Sequence, residues 1–347
     1  MRRRGWLIAG QTLLGAALLV ALVLIVDLRA VGETLGQARW GYVLLAAGLA
    51  IVSTLIRASR WRLVLRPVAR VPGLDVWLIS LASSLISFLI PLRTGELARA
   101  LFLKQRNRIP ISAALPTVAV DRSLDLLTVL VVGATGAASG LRVEGALRTP
   151  LLLGAALFVG FAAFVLLAIL SQDRMMAIAD RLLPRTLGSS IRDRILGVLR
   201  GLMIGFTTLG RQPRALFPLI ALSFAATLID SAVIYVLFLS LGSVVPPLIV
   251  LTGYALFAIT FLVPSAPGYV GSMEAFGSLI FGALGAGATS AASMVVIFHA
   301  LNAVLLGLGG GLAIWALGLR PQAAFQSVMV AEPPLPSPAP EPQPAAK

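Results

Sequence analysis

Charged residues interrupt an apolar stretch of the sequence at "ISFLIPLRTGELAR", residues 86–99. Arg93, Glu96 and Arg99 lie there, directly after apolar residues that are typical of a membrane helix. Glu96 and Arg99 are three residues apart and therefore share one face of a helix. Because the guanidinium group of arginine matches phosphate oxygens in pairs, these residues could bind the anionic headgroup of a lipid.

A second group of charges lies in "VAVDRSLDLL", residues 118–127, where Asp121 and Asp125 are four apart on one helix face and Arg122 stands beside Asp121. An ionised side chain at membrane depth costs at least about 2.5–3.5 kcal/mol, so each of these charges needs a partner. Two interpretations stay open, and they can hold together. The charges form a buried ion-pair network, or some of the arginines contact a headgroup in a cavity. Arg99 could also extend to the membrane surface.

Three further polar residues stand alone in apolar segments. Asp230 and Glu274 could each be a proton or ion site, or could pair with an arginine. His299, the only histidine, is more typical of a hydrogen-bonded core residue than of a proton relay. Asp121 and Asp125 lack the clustered ligands of a metal-dependent enzyme, and no glycine-rich phosphate loop with lysine or nucleophilic serine turn is visible. We therefore expect no enzyme activity, no catalytic residue, no metal site and no cofactor.

The composition indicates which class of protein holds these charges. Of the 347 residues, 58% are hydrophobic and 12% are charged, and several apolar runs reach the ~20 residues that cross a bilayer core. The sequence therefore predicts an all-α polytopic membrane protein. The net charge of +14 is carried almost wholly by arginines between apolar runs, which is typical of cytoplasmic loops and predicts no nucleic-acid partner. The absence of cysteine excludes disulfides and thiol chemistry.

Hydropathy divides the chain into two parts. Residues 1–320 are predicted to form a transmembrane domain, and residues 321–347, rich in proline and alanine, a disordered cytoplasmic tail. The basic residues from Arg57 to Arg70 and both termini are expected to be cytoplasmic. The stretch 172–214 alternates charged and apolar residues and predicts amphipathic helices on the cytoplasmic face. Six full spans are predicted, at about 7–26, 41–56, 117–139, 150–170, 215–241 and 291–317, with an external loop at 27–39.

Two remaining apolar segments are predicted to be re-entrant helical hairpins. Basic clusters lie on both sides of 74–92, so a full crossing would place one of them outside. We predict that this segment enters from the cytoplasm, turns between Pro91 and Gly95, and returns as 96–106. The second hairpin runs from 247 to about 284, with its turn at Pro264, Pro267, Gly268 and Gly271.

The two predicted hairpins are similar in sequence. "ISFLIP", residues 86–91, corresponds to "ITFLVP", residues 259–264, and each is followed by glycine and then by a glutamate, Glu96 or Glu274. An odd number of spans separates the hairpins, so they would enter the membrane from opposite sides. Such an inverted repeat, with broken helices around a substrate, is a common plan of transporters. The predicted fold therefore has six spans and two hairpins, eight helical membrane segments in all.

These motifs resemble those of a known family. "PLRTGELARALFL", "VAVDRSLDLL" and "VPSAPGYVGSMEAFG" are similar to the membrane region of lysylphosphatidylglycerol synthases, which defines a broad family of flippase-like proteins with many stand-alone members. The resemblance extends over about 1–320. The family pattern R-x-G-E-x-x-R is matched from Arg93 to Arg99, and its acidic-arginine pair is matched by Asp121 and Arg122.

The second family motif, P-G-G-x-G-x-R-E, is matched in part, because Tyr269 replaces a glycine and Met273 replaces the arginine. The resemblance implies movement of a lipid, anionic or of polyprenyl or hopanoid type, between leaflets of the bacterial cytoplasmic membrane. Besides the lipid, a second copy of the chain or a lipid-biosynthesis enzyme is a candidate partner. Lysyl-lipid synthesis is not expected, because the tail 321–347 is much shorter than a transferase domain. The alternative is a membrane subunit or enzyme of lipid-linked glycosyl transfer.

The predicted substrate site combines two kinds of residue. The arginines would draw in the headgroup, and the acids would hold the arginines or couple to ions. No ATP site is visible, so transport would be passive or driven by a gradient. The predicted site residues are Arg93, Glu96, Arg99, Asp121, Arg122, Asp125 and Glu274.

Overall fold

The architecture is that of a computed structural model, which describes residues 28–90, 94–139, 213–261 and 265–320 and the isolated positions 160, 177, 178, 180, 181 and 196. Every regular element within these ranges is helical, which confirms the predicted all-α class. The helices are α1 Leu28–Gly36, α2 Trp40–Leu65, α3 Gly73–Leu89, α4 Thr94–Asn107, α5 Ile111–Ala138, α6 Pro213–Ser240, α7 Pro247–Thr260, α8 Ser272–Phe281 and α9 Ala288–Leu317, with a 3₁₀ turn Pro267–Tyr269 and a π-helical turn Gly282–Ala286.

Within the described residues, three helices are long and apolar enough to cross a membrane: α2, α9 and the part Leu216–Ser240 of α6. The 26 residues of α2 rise about 39 Å, more than the ~30 Å thickness of a bilayer core. The outer faces of α2 and α9 expose large apolar side chains, among them Leu44, Leu308 and Trp315. Such exposure is favourable in lipid and unfavourable in water, so the chain is a multi-pass membrane protein.

The first predicted hairpin corresponds to α3 and α4, which pack side by side. At their open ends, Asp75 Oδ2 accepts hydrogen bonds from Asn107 Nδ2 at 3.0 Å and Arg106 Nε at 3.4 Å. At the closed end, Gly95 lies so near α3 that a Cβ atom on it would overlap Ser87 Oγ and the carbonyl oxygen of Ser83. The glycine of the R-x-G-E pattern therefore permits the close approach of these two helices.

The second predicted hairpin corresponds to α7 and α8, which are also in contact. A Cβ atom on Gly253 of α7 would overlap the ring of Phe281 at the end of α8. The turn between the helices uses the left-handed backbone region at Gly268, Tyr269 and Gly271, with φ of 71°, 59° and 82°. A glycine adopts this region without strain, whereas a tyrosine does not, so Tyr269 must be held there by its surroundings.

The described helices enclose two apolar cores that meet along α5. One core lies between α2, α3, α4 and the first half of α5, as far as Leu124, and also includes residues of α6 and α9. The other includes Val129 and Val132 of α5, together with residues of α2, α6, α7, α8 and α9. Asp121 and Asp125 therefore lie where one core gives way to the other, in the interior of the protein.

Some predicted boundaries were wrong. The second span was predicted to end at residue 56, but α2 continues to Leu65, so Arg57 and Arg60 lie inside a helix and not in a cytoplasmic loop. The predicted loop 27–39 contains the short helix α1, whose Arg29 and Glu33 pair at 3.1 Å one turn apart. Predictions outside the described residues concern Pro91, Arg93, Pro264, the spans 7–26 and 150–170, most of 172–214, and the tail 321–347.

Candidate functional site

The centre of the site is a buried ion pair between α2 and α5. Arg60, whose side chain is 0% exposed, donates from Nε to Asp121 Oδ1 at 2.8 Å and from Nη2 to the Asp121 carbonyl oxygen at 3.1 Å. Its Nη1 donates to Asp125 Oδ1 at 2.7 Å and to Ser223 Oγ of α6 at 2.9 Å. Every nitrogen of this guanidinium is thus hydrogen-bonded, as a charge at membrane depth requires.

Arg99 joins the hairpin helix α4 to the same centre. Its Nη1 donates to Asp121 Oδ2 at 3.0 Å, and its guanidinium carbon lies 4.6 Å from the ring centroid of Trp61. The Trp61 indole in turn donates to Thr117 Oγ1 at 3.2 Å. Arg99 is buried, so it does not extend to the membrane surface. Asp121 therefore receives two arginines, one from α2 and one from α4, and joins both helices to α5.

A second centre is formed around Arg57, one turn before Arg60 on α2. Its guanidinium pairs with Asp125 of α5 and with Asp230 of α6. The hydroxyl of Tyr254, on α7, donates to Asp230 Oδ2 at 2.8 Å. Arg57 thus connects α2, α5 and α6 and, through Asp230, also α7. Asp230 was predicted either to be a proton or ion site or to pair with an arginine, and the structure shows the pairing.

Arg122 is held less tightly than the other three arginines. Its side chain is 40% exposed, and Nη1 contacts Asp125 Oδ2 at 3.3 Å. Its Nε lies 3.6 Å from Glu96 Oε1 and makes no hydrogen bond to any residue that the structure describes. Arg122 is therefore the cation of this cluster that a ligand could engage with the least rearrangement.

The four arginines described above and the four carboxylates that they contact are together called the charge cluster. Each arginine contacts at least one carboxylate, and each carboxylate contacts at least one arginine. Four positive and four negative charges compensate one another, which lowers the free energy of burying them. The members are Arg57, Arg60, Arg99, Arg122, Glu96, Asp121, Asp125 and Asp230.

Two cavities border the charge cluster. The larger, of about 540 Å³, lies between α2, α3 and α9, and the smaller, of about 410 Å³, lies between α5 and α7. Arg57 and Arg122 line both cavities, as do the aromatic rings of Tyr254, Phe261 and Tyr269. Together with Ser87 and Ala258, which also line both cavities, these side chains form the wall that separates the two spaces.

Glu274 lies at the base of the second turn and lines neither cavity. Its Oε2 accepts from the Gly271 backbone N–H at 2.8 Å, and its Oε1 contacts His299 Nδ1 on α9. The His299 ring also packs edge-on against Phe88, near the tip of the first hairpin, with 5.8 Å between centroids. Glu274 and His299 thus fasten the second turn to α9, and the geometry gives His299 the predicted hydrogen-bonded core role.

Replacing His299 with leucine is expected to destabilise the protein by about 1–3 kcal/mol, because Glu274 would keep a partly buried charge with one hydrogen bond fewer. Replacing His299 with glutamine supplies an amide donor and should recover part of this loss. Unfolding by SDS titration in mixed micelles measures both variants. Equal stability of the leucine and glutamine variants would contradict the role given to the Glu274 contact.

The structure brings together most of the predicted site residues, but with unequal roles. Glu96, Arg122 and Asp125 line the smaller cavity, whereas Arg99 and Asp121 are buried in ion pairs and line neither cavity. Arg93 lies outside the described residues. The site also contains three residues that were not predicted for it: Arg57, Arg60 and Tyr254. The two arginines were predicted to lie in a cytoplasmic loop.

A signal for the missed arginines exists in the sequence. Arg57 and Arg60 are three residues apart and precede Trp61, so a continued helix would put both on one inward face. The five acids predicted within apolar segments also outnumber the three arginines that were assigned to pair with them, Arg93, Arg99 and Arg122. Matching the number of arginines to the number of acids would have predicted that Arg57 and Arg60 lie in the membrane interior.

Comparison with known proteins also indicates a membrane protein. The family model described as "Lysylphosphatidylglycerol synthase TM region" matches residues 8–310. A curated relative, the glycosyltransferase AglD of Haloferax volcanii, is 28% identical over 345 residues, covering 89% of this chain and 54% of the relative. The chain thus spans about half the length of that relative. No solved structure matches the chain. Because the family model covers most of its length, the chain belongs to the lysylphosphatidylglycerol synthase transmembrane-region family.

Proposed function

We propose that the protein moves a lipid, anionic or of polyprenyl or hopanoid type, between the leaflets of the bacterial cytoplasmic membrane. The observation that carries this proposal is the charge cluster, which borders a cavity whose other walls are largely apolar. A lipid has the same two parts, a polar headgroup and apolar chains. A space that offers charges at one side and leucines at the other suits such a molecule.

A contact between α3 and the second turn supports an inverted repeat of re-entrant hairpins. Phe88, near the tip of α3, lies 6.3 Å from the Tyr269 ring in the second turn, centroid to centroid. Both rings line the larger cavity. Broken backbone at membrane depth is tolerated where it is enclosed by protein or lines a cavity, and transporters use such broken helices around their substrates.

In this proposal Arg122 is the residue that exchanges partners. It borders both cavities, is partly exposed, and contacts Glu96 and Asp125 over longer distances than Arg60 contacts its carboxylates. A phosphate that enters the larger cavity competes with these two carboxylates for the guanidinium fork. The headgroup could then pass the wall between the cavities without leaving a charge unpaired. Transport would be passive or gradient-driven, with both termini in the cytoplasm.

Replacing Arg122 with glutamine is expected to slow exchange of a labelled phospholipid between leaflets of proteoliposomes by about tenfold or more, since a charge-assisted hydrogen bond contributes about 1.5–3 kcal/mol. Arg66→Gln, an exposed arginine at the end of α2, is the matched control and should exchange lipid like the unmodified protein. No acceleration by the unmodified protein across anionic, polyprenyl and hopanoid lipids would refute the proposal.

The alternative, lipid-linked glycosyl transfer, is favoured by the name of the relative from Haloferax volcanii. That name applies to a protein about twice as long as the matched region. If this chain performed the transfer, membranes given a sugar donor would yield a lipid of increased headgroup mass. Asp125→Asn would abolish this product, because Asp125 is the aspartate that lines the smaller cavity. Mass spectrometry of the lipid extract distinguishes this activity from transport.

A further inference from the structure

Glu96 has the weakest contacts of the four carboxylates in the charge cluster. Among the residues that the structure describes, its one ionic partner is Arg122, whose Nε lies 3.6 Å from Glu96 Oε1. This separation is too long for a hydrogen bond. The Glu96 side chain is 28% exposed, whereas those of Asp121 and Asp125 are 2% and 15% exposed. Of the four carboxylates, Glu96 is therefore the one whose ionised form its neighbours stabilise least.

The two carboxylates that contact Arg122 depend on it unequally. Asp125 also contacts Arg57 and Arg60, and these contacts remain when Arg122 pairs with another anion. Glu96 has no second arginine in the part of the chain that the structure describes. If an anion engages Arg122, Asp125 therefore stays compensated, whereas Glu96 becomes a carboxylate without a partner in the interior of a membrane protein.

An anion at Arg122 and a negative charge on Glu96 oppose each other. An ionised side chain without a partner is costly at membrane depth, and the cost is removed when the carboxylate takes up a proton. A second negative charge nearby also favours the neutral form of a carboxyl group. Binding of the anion and binding of the proton are therefore linked, and by reciprocity each strengthens the other.

The ionisable groups around Glu96 come from the helices that pack against α4 and from the smaller cavity. Within the described residues, α4 packs mainly against α3 and α5. The ionisable residue of α3 is Asp75, which lies at the open end of the hairpin and contacts Arg106 and Asn107. Of the two arginines that line the smaller cavity, Arg122 alone contacts Glu96. The other groups are Asp121 and Asp125 of α5, Arg57 of α2, Tyr254 of α7 and Tyr269 of the second turn.

The two cavities give the anion and the proton separate routes to this pair. Arg122 lines both cavities, whereas Glu96 lines only the smaller of the two. The smaller cavity, of about 410 Å³, is far larger than the ~30 Å³ that a water molecule occupies in the liquid, and charged side chains line it. Water in such a space can bring a proton to Glu96 while an anion approaches Arg122 from the larger cavity.

We propose that Glu96 is a proton-binding site coupled to anion binding at Arg122, so that the protein takes up a proton as it binds an anionic headgroup. The proton comes from water in the smaller cavity and neutralises the Glu96 carboxylate. The guanidinium of Arg122 keeps its charge and pairs with the anion instead. The site deepens the proposed transport function and rests on it for the nature of the anion. It makes loading of the protein depend on the local pH.

The test measures proton uptake while the purified full-length protein in detergent is titrated with phosphatidylglycerol, whose phosphodiester stays ionised throughout the experiment. Calorimetry at about pH 6, above the usual titration range of glutamate, is run in two buffers that differ in their enthalpy of ionisation. The difference between the two heats gives the number of protons bound. We expect about one proton for each lipid bound, and an affinity that falls about tenfold for each unit by which the pH rises in this range.

Three variants assign the proton to its site. Glu96→Gln keeps the shape of the side chain but cannot ionise, so it should bind the lipid without proton uptake and with an affinity that no longer changes with pH. Glu96→Asp keeps a carboxylate and should retain the uptake. Glu33→Gln is the matched control, because Glu33 is an exposed glutamate on α1 that pairs with Arg29 and lines neither cavity. It should take up protons like the unmodified protein.

Three outcomes would overturn the inference: no binding of the lipid, binding by the unmodified protein without proton uptake, or uptake that persists in Glu96→Gln. Leaflet exchange in proteoliposomes separates this inference from the proposed function. Proton uptake on binding without any leaflet exchange would refute transport and leave the proton site intact. Leaflet exchange by a protein that binds the lipid without proton uptake would refute the proton site and leave transport intact.

Discussion

Replacing Arg60 with alanine is expected to destabilise the protein by about 3–5 kcal/mol, because it leaves two buried carboxylates without their shared cation. Arg60 is fully buried and makes hydrogen bonds to Asp121, Asp125 and Ser223. The loss should appear as unfolding at a lower SDS fraction in mixed micelles. Arg60→Lys keeps the charge but cannot reproduce the forked geometry of the guanidinium group. The stability of this variant should therefore lie between that of the unmodified protein and that of Arg60→Ala.

Arg66→Ala provides the control for this prediction. Arg66 is exposed and caps the same helix six residues further on. Its removal should change the free energy of unfolding by less than about 0.5 kcal/mol, as is usual for surface positions. If Arg60→Ala were as stable as Arg66→Ala, the charge cluster would not be a structural element, and its arginines would be free to serve a ligand.

Replacing Gly95 with alanine is expected to destabilise the protein by about 1–3 kcal/mol and to abolish the proposed leaflet exchange. The added methyl group would meet the carbonyl oxygen of Ser83, a backbone atom that cannot rotate away, as well as Ser87 Oγ. The two hairpin helices would have to separate at their closed end. Glu96, the next residue, would then move relative to Arg122, its partner across the smaller cavity.

Gly48→Ala is the matched control for Gly95→Ala. A Cβ atom on Gly48 would meet nothing within 4 Å, and the residue is exposed within α2. This substitution should stabilise the helix by about 0.5–1 kcal/mol and leave leaflet exchange unchanged. Similar behaviour of the two variants would show that α3 and α4 can part without consequence, contrary to the role given to Gly95.

The sequence was informative where composition and charge position act over many residues. The helical class follows from apolar runs, and the packing of α3 against α4 was anticipated because basic residues lie on both sides of a single apolar segment. Gly268 and Gly271, which were predicted to lie in the second turn, have positive φ values there. Such patterns depend on local chemistry, which a single sequence displays directly.

The sequence was less informative where a residue's role depends on distant partners. Arg57 and Arg60 were assigned to a basic loop, because an arginine that binds buried aspartates has the same local surroundings as one that marks the cytoplasmic side. The separation of roles between Arg99, which is enclosed, and Arg122, which borders two cavities, depends on how α4 and α5 pack. Periodicity alone does not contain that information.

The equal numbers of arginines and carboxylates in the charge cluster have an electrical consequence. A membrane potential does work of about 2.3 kcal/mol on each elementary charge that it moves through 100 mV. Four positive and four negative charges that shift together as a unit sum to zero, so their displacement exchanges no energy with the field. The voltage dependence of any conformational change would then arise from the cargo and from Arg122 if it parts from its carboxylates. The charge cluster would then add no voltage dependence of its own. In the proposed transport, the charge of the lipid would determine whether the membrane potential assists or opposes each crossing.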